Sequence, residues 1–146
     1  MITVERMNED NVSDVAYLEK VNFTDGWSEQ SLREETDNEN AIYLVARDTD
    51  RNLVVGAAGL IQSFDEGEIL NVSVLKEYRQ QSVAMTLLKQ LLEIGRERGI
   101  CSFTLEVREN NSPARKLYEK IGFVCEGIRP SFYSNPTEGA AIYWLR

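Results

Sequence analysis

The 146-residue sequence contains no histidine, and its 16 Lys and Arg residues against 24 Asp and Glu residues give a formal net charge of −8. The lack of histidine excludes Ser-His-Asp and Cys-His nucleophile activation and every metal site with an imidazole ligand. Acid–base chemistry must therefore use Glu, Asp, Tyr, Lys, Cys or a chain terminus. The shortage of basic residues argues against direct binding of nucleic acid, because phosphate contacts require a basic surface.

Cysteine and long apolar runs are also scarce. Cys101 and Cys125 are the two cysteines, and they form no C-x-x-C pair. We therefore predict neither a zinc site nor a disulfide, and we expect both to be reduced thiols in the core. The first residues lack the features of a signal peptide, and no stretch approaches the roughly 18 apolar residues of a membrane span. We expect a cytoplasmic protein that binds neither metal nor membrane.

Proline occurs three times, always in the last third of the chain, at Pro113, Pro130 and Pro136. No Pro- or Ser-rich linker, repeat or low-complexity tract interrupts the sequence. A length of 146 residues agrees with the prior of roughly 150 residues per domain. We therefore predict that residues 1–146 form one domain.

The hydrophobic periodicity predicts the element order βααβββαβαββ, an α/β fold with helices packed on a mixed sheet. Strands are predicted at 2–6, 41–47, 53–64, 68–75, 101–107, 123–128 and 141–145. Helices are predicted from Val12, from Trp27-Ser28, after Tyr78 and from Asn111, and residues 129–139 are predicted to form an irregular loop. The three strands between 41 and 75 form an antiparallel meander, and the following strand–helix–strand order requires a crossover and a parallel pair.

One candidate site lies where the strand at 68–75 passes through a polar turn into the longest predicted helix. Such a junction points free backbone N–H groups outward, and with the helix dipole these groups favour an anion such as a pyrophosphate. The small residues Ser82 and Ala84 let a phosphate approach the backbone. The alternative is an ordinary turn between a strand and a helix.

A second candidate site centres on Glu106, near the end of the strand at 101–107. Strand alternation places Glu106 on the face opposite Phe103 and Leu105. Together with the phenol of Tyr118 on the following helix, this carboxylate supplies a pair that passes protons without histidine. The alternative makes Glu106 a solvated strand charge and Tyr118 a core residue.

Both sites resemble parts of one known family. The run Arg79-Gln80-Gln81-Ser82-Val83-Ala84 resembles the R/Q-x-x-G-x-G/A loop of the GNAT superfamily of acyl-CoA N-acyltransferases, which has the same element order. The stretch from Leu105 to Phe123 is similar to the LEVR-x-x-N-x-x-A-x-x-LY-x-x-x-GF signature of its bacterial ribosomal-protein alanine N-acetyltransferase branch. The residues Glu19, Phe23 and Trp27-Ser28, and the run 129–133, are also similar to that branch.

The resemblance implies acetyl-CoA as the donor co-substrate and the α-amino group of a protein N-terminus, such as that of a ribosomal protein, as the acceptor. It implies Glu106 as the general base and Tyr118 as the general acid. The implied cofactor contacts are Val72, Ser73, Val74, Arg79, Gln80, Gln81, Ser82, Val83, Ala84, Met85 and Asn111. Two alternatives are acetylation of a lysine or small-molecule amine, and a non-catalytic acyl-CoA-binding domain.

Two residues depart from the family pattern. Ser82 stands where the loop usually has glycine, and if the position requires a positive φ, serine costs on the order of 1 kcal/mol or more. Ala140 stands where the branch commonly has an acidic residue. This second departure concerns peptide selection by the last hairpin and leaves the donor unaffected.

Overall fold

The computed structural model of the chain describes residues 1–134 and 136–146. One seven-stranded sheet runs in the order β1-β2-β3-β4-β5-β7-β6. In chain order the elements are β1 (Ile2–Arg6), α1 (Val12–Asn22), α2 (Glu29–Glu35), β2 (Ala41–Asp48), β3 (Leu53–Ser63), β4 (Glu66–Val74), a 3₁₀ turn (Lys76–Tyr78), α3 (Val83–Glu97), β5 (Ser102–Arg108), α4 (Ser112–Ile121), β6 (Val124–Tyr133) and β7 (Glu138–Leu145). The predicted α/β class and element order are confirmed.

Alternating strand residues build a separate apolar layer on each face of the sheet. Leu87, Leu88 and Leu91 of α3 are buried in a cluster with Phe103 and other residues on one face. On the other face, α1 and α2 contribute a second cluster, which consists of Val12, Val15, Leu18 and Leu32 packed with Tyr43, Val45 and Ala57. The helical spacing of 3.6 and the strand spacing of 2 account for this division.

The parallel pair, β4 with β5, is much shorter than its two strands. Pairing runs only from Glu66↔Ser102 to Glu68↔Thr104, although β4 continues to Val74 and β5 to Arg108. Beyond Glu68 the two strands diverge, and the facing main-chain edges of β4 and β5 do not pair with each other. The sheet therefore opens into a cleft in its middle, which we call the β4–β5 cleft.

The prediction of an irregular loop over 129–139 is wrong for residues 129–133 and 138–139, which lie in strands, and residue 135 lies outside the described residues. β6 continues to Tyr133 and β7 begins at Glu138, and these two residues pair across the hairpin. Pro130 is compatible with this strand because β6 lies at the sheet edge, where one side of the backbone needs no partner. Register shifts between Cys125 and Gly127 and between Arg129 and Tyr133 accommodate the irregular residues.

Two smaller expectations also need correction. The turn predicted at 65–67 is shorter, because β4 already begins at Glu66. Both cysteines are free thiols as predicted, but Cys101 is exposed and Cys125 only half-buried, so neither lies in the core.

In the described part of the chain, helices fall short of the length and apolarity that a bilayer span requires. Those residues also hold no metal-binding group of three or more His, Cys, Asp or Glu.

Candidate active site

A bulge in β4 shapes the wall of the β4–β5 cleft. The register with β3 shifts between Gly59↔Leu70 and Ala57↔Ser73, so that Asn71 and Val72 together oppose one residue. Asn71 has a φ of 58°, a left-handed conformation that asparagine adopts more readily than most residues. Bulges bend a strand and redirect its groups, and this one lies just beyond the last residue that pairs with β5.

The turn between β4 and α3 presents a row of unused backbone donors. Within the described residues, the N–H groups of residues 80–85 have no hydrogen-bond acceptor, and the Ser82 side chain does not cap α3. The positive end of the helix dipole adds to these donors. Ser82 has a φ of 65° and Gln80 a φ of 66°. Both backbones are left-handed, a conformation in which the Cβ of serine is unfavourable. The turn has the features of an anion site, which we call the amide cradle.

The residues predicted to contact a cofactor lie along the β4–β5 cleft and the amide cradle, with different side-chain environments. Val72 is half-buried, whereas Ser73 and Val74 are buried, and the Ser73 hydroxyl lacks a hydrogen-bond partner among the described residues. Gln80, Gln81 and Ser82 are exposed, Ala84 and Met85 are half-buried, and Val83 is buried in the core. Val83 therefore offers an anion only its backbone.

Arg79 and Asn111 already make contacts within the protein. Arg79 donates from Nε to the Val74 carbonyl at 3.3 Å and from Nη2 to Asn22 of α1. The Asn111 side-chain oxygen accepts the Ala114 N–H at 3.2 Å and caps α4. Arg79 thus joins the cradle to α1 and β4. The Asn111 oxygen is used in the cap, and no acceptor for its side-chain NH₂ group is found among the described residues.

Glu106 stands in the opposite wall of the cleft, on β5. The predicted alternation is present, since Phe103, Leu105 and Val107 are buried and Glu106 is half-buried on the other face. The Glu106 side chain is 24% exposed, and its Oε1 lies 3.8 Å from Nη1 of Arg129. The Glu106 carboxylate is therefore partly accessible to solvent, and among the described residues Arg129 is the cation found within 4 Å of it.

Tyr118 is 7% exposed and packs in the core beneath the cleft. Its ring lies 6.1 Å from that of Phe123 and 6.2 Å from that of Tyr143. Burial, with a further contribution from Tyr133, raises the pKa of Tyr118. Its phenol therefore stays protonated throughout the neutral range. Tyr118 is therefore a core residue, as one of the two alternatives from the sequence had it, and its role as an acid stays a prediction.

The structure adds two residues, Glu68 and Tyr133, that the sequence did not assign to a site. Glu68 pairs with Thr104, two positions before Glu106 on the same face, and partial burial and the Glu106 charge raise its pKa. Burial and the Glu106 charge also raise the pKa of Tyr133. Both residues therefore lie within electrostatic reach of Glu106. The parallel register and the extended hairpin bring them there, and neither is visible in local periodicity.

Arg108 fixes the β6–β7 hairpin to β5. It donates to the carbonyls of Ser134 and Pro136, both at 2.9 Å, and to Glu138 Oε1 at 3.1 Å. The second Glu138 oxygen accepts the Asn110 N–H at 2.8 Å. Ala140 pairs directly with Arg108 on β5.

We expect Ser82→Gly to stabilise the protein. Glycine adopts a positive φ without the Cβ penalty of serine, a difference of about 1 kcal/mol, which raises Tm by about 2–4 °C in a domain of this size. Thermal unfolding followed by circular dichroism measures the change. The matched control is Ser112→Gly in the first turn of α4, where φ is not positive and the same substitution should lower Tm. A lower Tm for Ser82→Gly would contradict the strain assigned to this turn.

Residues 12–123 match the Acetyltransferase (GNAT) family. The chain is 35% identical over 113 residues to the [ribosomal protein bS18]-alanine N-acetyltransferase of Haemophilus influenzae, across 77% of this chain and 75% of that protein. The crystal structure of the ribosomal-protein-S18-alanine N-acetyltransferase from Escherichia coli superposes with a TM-score of 0.88 at 25% identity, covering 99% of this chain and 93% of that one. Arabidopsis thaliana NAA60 in complex with acetyl-CoA shares the fold, with a TM-score of 0.87 at 15% identity over 99% of this chain and 98% of that one.

The fold and the family match define an acyltransferase that uses a coenzyme A thioester. The chain belongs to the GNAT acetyltransferase family. It is an acetyl-CoA-dependent N-acetyltransferase. Its unused backbone donors fit such a donor, because a pyrophosphate is bound well by free N–H groups at a helix N-terminus.

Proposed function

We propose that this N-acetyltransferase acetylates the α-amino group of a protein N-terminus, and that a ribosomal protein in the cytoplasm is its acceptor. The proposal treats residues 1–146 as one catalytic domain. The observation that carries it is the β4–β5 cleft, which joins the amide cradle to the carboxylate of Glu106. The names of the Haemophilus influenzae and Escherichia coli relatives, which specify an alanine of ribosomal protein bS18, support this acceptor class.

The donor half of the site consists of main-chain groups. In this proposal the edge of β4 at Val72, Ser73 and Val74, which is not paired with β5, binds the pantetheine arm, and the N–H groups of residues 80–85 surround the pyrophosphate. The NH₂ group of Asn111 contacts the arm from the other side. Main-chain groups suit this task because the net charge of −8 repels the anionic donor at long range and leaves binding to short-range contacts.

Glu106 performs the first chemical step. An α-ammonium group has a pKa of about 7.7–8.0 and must lose a proton before its nitrogen attacks a thioester. Glu106 accepts that proton, directly or through a water molecule. A backbone N–H near Val72 stabilises the negative charge that develops on the carbonyl oxygen as the C–N bond forms. The C–S bond then breaks, and coenzyme A leaves as the thiolate.

Tyr118 assists departure of the thiolate, but its contribution is limited. The raised pKa of Tyr118 lies above the value of about 8.5 for a thiol, so complete transfer of its proton is unfavourable. A hydrogen bond from the phenol stabilises the thiolate, and a thiolate with such a pKa also leaves unaided.

We expect Tyr118→Phe to lower kcat by about tenfold or less, which is smaller than the typical 10²–10⁴-fold contribution of an essential acid or base. The substitution keeps the ring contacts with Phe123 and Tyr143. Steady-state kinetics at saturating acetyl-CoA measure the effect, and an unchanged Tm serves as the control for folding. A loss of kcat beyond 100-fold at unchanged Tm would make Tyr118 an obligatory acid and contradict this assignment.

The acceptor class is tested with peptides and acetyl-CoA. One peptide has the bS18 N-terminal sequence with a free α-amino group, and its control has the same sequence with that group already acetylated and its lysines free. A small primary amine completes the set. We expect mass spectrometry to find a single acetyl group on the first residue of the first peptide and none on the others. Modification of lysine or of the small amine would favour the alternative acceptors instead.

A further inference from the structure

A buried carboxylate connects three elements on the Glu106 face of the sheet. Glu19 of α1 is 1% exposed, and its Oε1 accepts the Trp27 backbone N–H at 3.0 Å and the Asn71 side-chain amide at 2.7 Å. The Asn71 side-chain oxygen accepts the Tyr43 hydroxyl at 2.9 Å. This network joins the segment between α1 and α2 to the bulge of β4 and to β2.

The network lowers the stability of the fold, which argues that it has a role in function. Burial raises the pKa of Glu19, and its Oε2 is buried without a hydrogen-bond partner among the described residues. Burying a carboxyl group with one unsatisfied oxygen is unfavourable. The backbone is also held close to it, since a Cβ on Gly26 would lie 2.6 Å from the Glu19 carbonyl oxygen.

One end of the network lies beside the proposed donor site, and the other end lies on the proposed acceptor side. Asn71 immediately precedes Val72, whose main chain is assigned to the thioester. Trp27 packs at 6.4 Å from the Tyr43 ring and lines a surface concavity with Gly26, Ser28 and Glu35. The charges of Glu19, Glu35 and Glu68 all raise the pKa of the Tyr43 hydroxyl. The segment between α1 and α2 therefore lies on the same face of the sheet as Glu68 and Glu106. In the proposed function the acceptor approaches Glu106 on this face of the sheet, where the concavity also lies.

We infer that Glu19 and Asn71 are positioning residues that set the distance between the donor strand and the acceptor wall. The inference rests on the proposed function. Donor affinity comes from the amide cradle, which lies in a separate turn, whereas the reacting geometry depends on the bulge. A misplacement of about 1 Å costs up to 100-fold in rate. Loss of the network should therefore lower kcat and leave the KM for acetyl-CoA nearly unchanged.

Three variants separate positioning from folding. Asn71→Gly keeps the positive φ and removes the side chain, whereas Glu19→Ala removes the central acceptor. Glu19→Gln keeps an oxygen that accepts both hydrogen bonds. We expect the first two to lower kcat per folded molecule at least tenfold with the KM for acetyl-CoA within twofold of wild type, and Glu19→Gln to retain at least half of kcat. The matched control is Asn52→Gly, because Asn52 has a similar φ of 50° and lies in the β2–β3 turn.

Amide hydrogen exchange provides a readout that needs no activity. We expect Asn71→Gly to increase exchange in both 23–28 and 70–75, because the network joins these segments. Unchanged kcat per folded molecule, a matching rise in the KM for acetyl-CoA, or faster exchange in 70–75 alone would each overturn the inference. Failure of the wild-type protein to acetylate the peptide would refute the proposed function instead, and the exchange result would still decide whether the two segments are linked.

Discussion

Glu106→Gln is expected to lower kcat/KM for an N-terminal peptide by about 10²–10⁴-fold at pH 7, the usual contribution of a general base. Glutamine keeps the size and polarity of the side chain but does not accept the ammonium proton. The half-buried position of Glu106, with Arg129 as its nearest cation, leaves the carboxylate available to the acceptor. Initial rates over a series of peptide concentrations measure the change.

The pH dependence makes this prediction specific. Above pH 9 most of the peptide is already a free amine, because its α-amino pKa is about 7.7–8.0. The difference in kcat/KM between Glu106→Gln and wild type should therefore become smaller as pH rises from 6 to 9. The control is Glu66→Gln, which removes the same charge from the exposed start of β4 and should stay within twofold of wild type. A deficit below threefold at pH 7, or one independent of pH, would show that Glu106 is not the base.

Ser82→Asp should weaken acetyl-CoA binding by at least 100-fold. The substitution places a carboxylate beside the amide cradle, where unit charges about 4 Å apart repel by about 4 kcal/mol at an effective dielectric constant of 20. Aspartate also tolerates the positive φ and is a good N-cap, so the protein should remain folded. Isothermal titration calorimetry measures the dissociation constant.

The control for this variant is Ser131→Asp, an exposed serine with a φ of 54° on β6. It introduces the same charge on a similar backbone away from the cradle, and its affinity for acetyl-CoA should stay within threefold of wild type. Added salt should reduce the difference in acetyl-CoA affinity between Ser82→Asp and wild type, because salt screens exposed charges. Equal loss of affinity in the two variants would indicate a general charge effect and remove the cradle as the donor site.

Much of the fold follows from local pattern. The leucines of α3 repeat at helical spacing, and Phe103, Leu105 and Val107 alternate along β5, so both elements and their buried faces were predictable. The caps at Ser28 and Asn111 are local too, because each side chain bonds an N–H three residues ahead. Such features depend on neighbours in sequence, which the sequence displays directly.

Other features depend on residues that are distant in sequence. The register that sets Glu68 opposite Thr104 arises from a crossover, and no local period encodes it. The bulge at Asn71 interrupts an alternation that otherwise looks regular. Pro130 suggested a loop, because a proline is excluded from paired strands but accepted at an edge, and the edge position of β6 is a property of the whole sheet. The network around Glu19 likewise required the packing of α1 on β4.

The site itself was predictable in part. Glu106, Tyr118 and the 79–85 turn were named from motifs. In the structure Glu106 and the turn flank the β4–β5 cleft, and Tyr118 lies in the core. The roles assigned to these residues remain predictions. The proximity of Tyr133 and Glu68 to Glu106 was not predicted, because it comes from the hairpin and the parallel pair. Free N–H groups at this turn were predicted from the passage of a strand through a polar turn into a helix. The structure adds which of them have no acceptor among the described residues, namely those of residues 80–85.

The most direct test of the account is amide hydrogen exchange with and without saturating acetyl-CoA. We expect acetyl-CoA to protect residues 80–85 strongly and residues 72–74 to a lesser degree, and we expect both effects to be lost in Ser82→Asp. Protection centred elsewhere on the molecule, with 80–85 unchanged at saturation, would contradict the assignment of the β4–β5 cleft and amide cradle as the site of acetyl transfer.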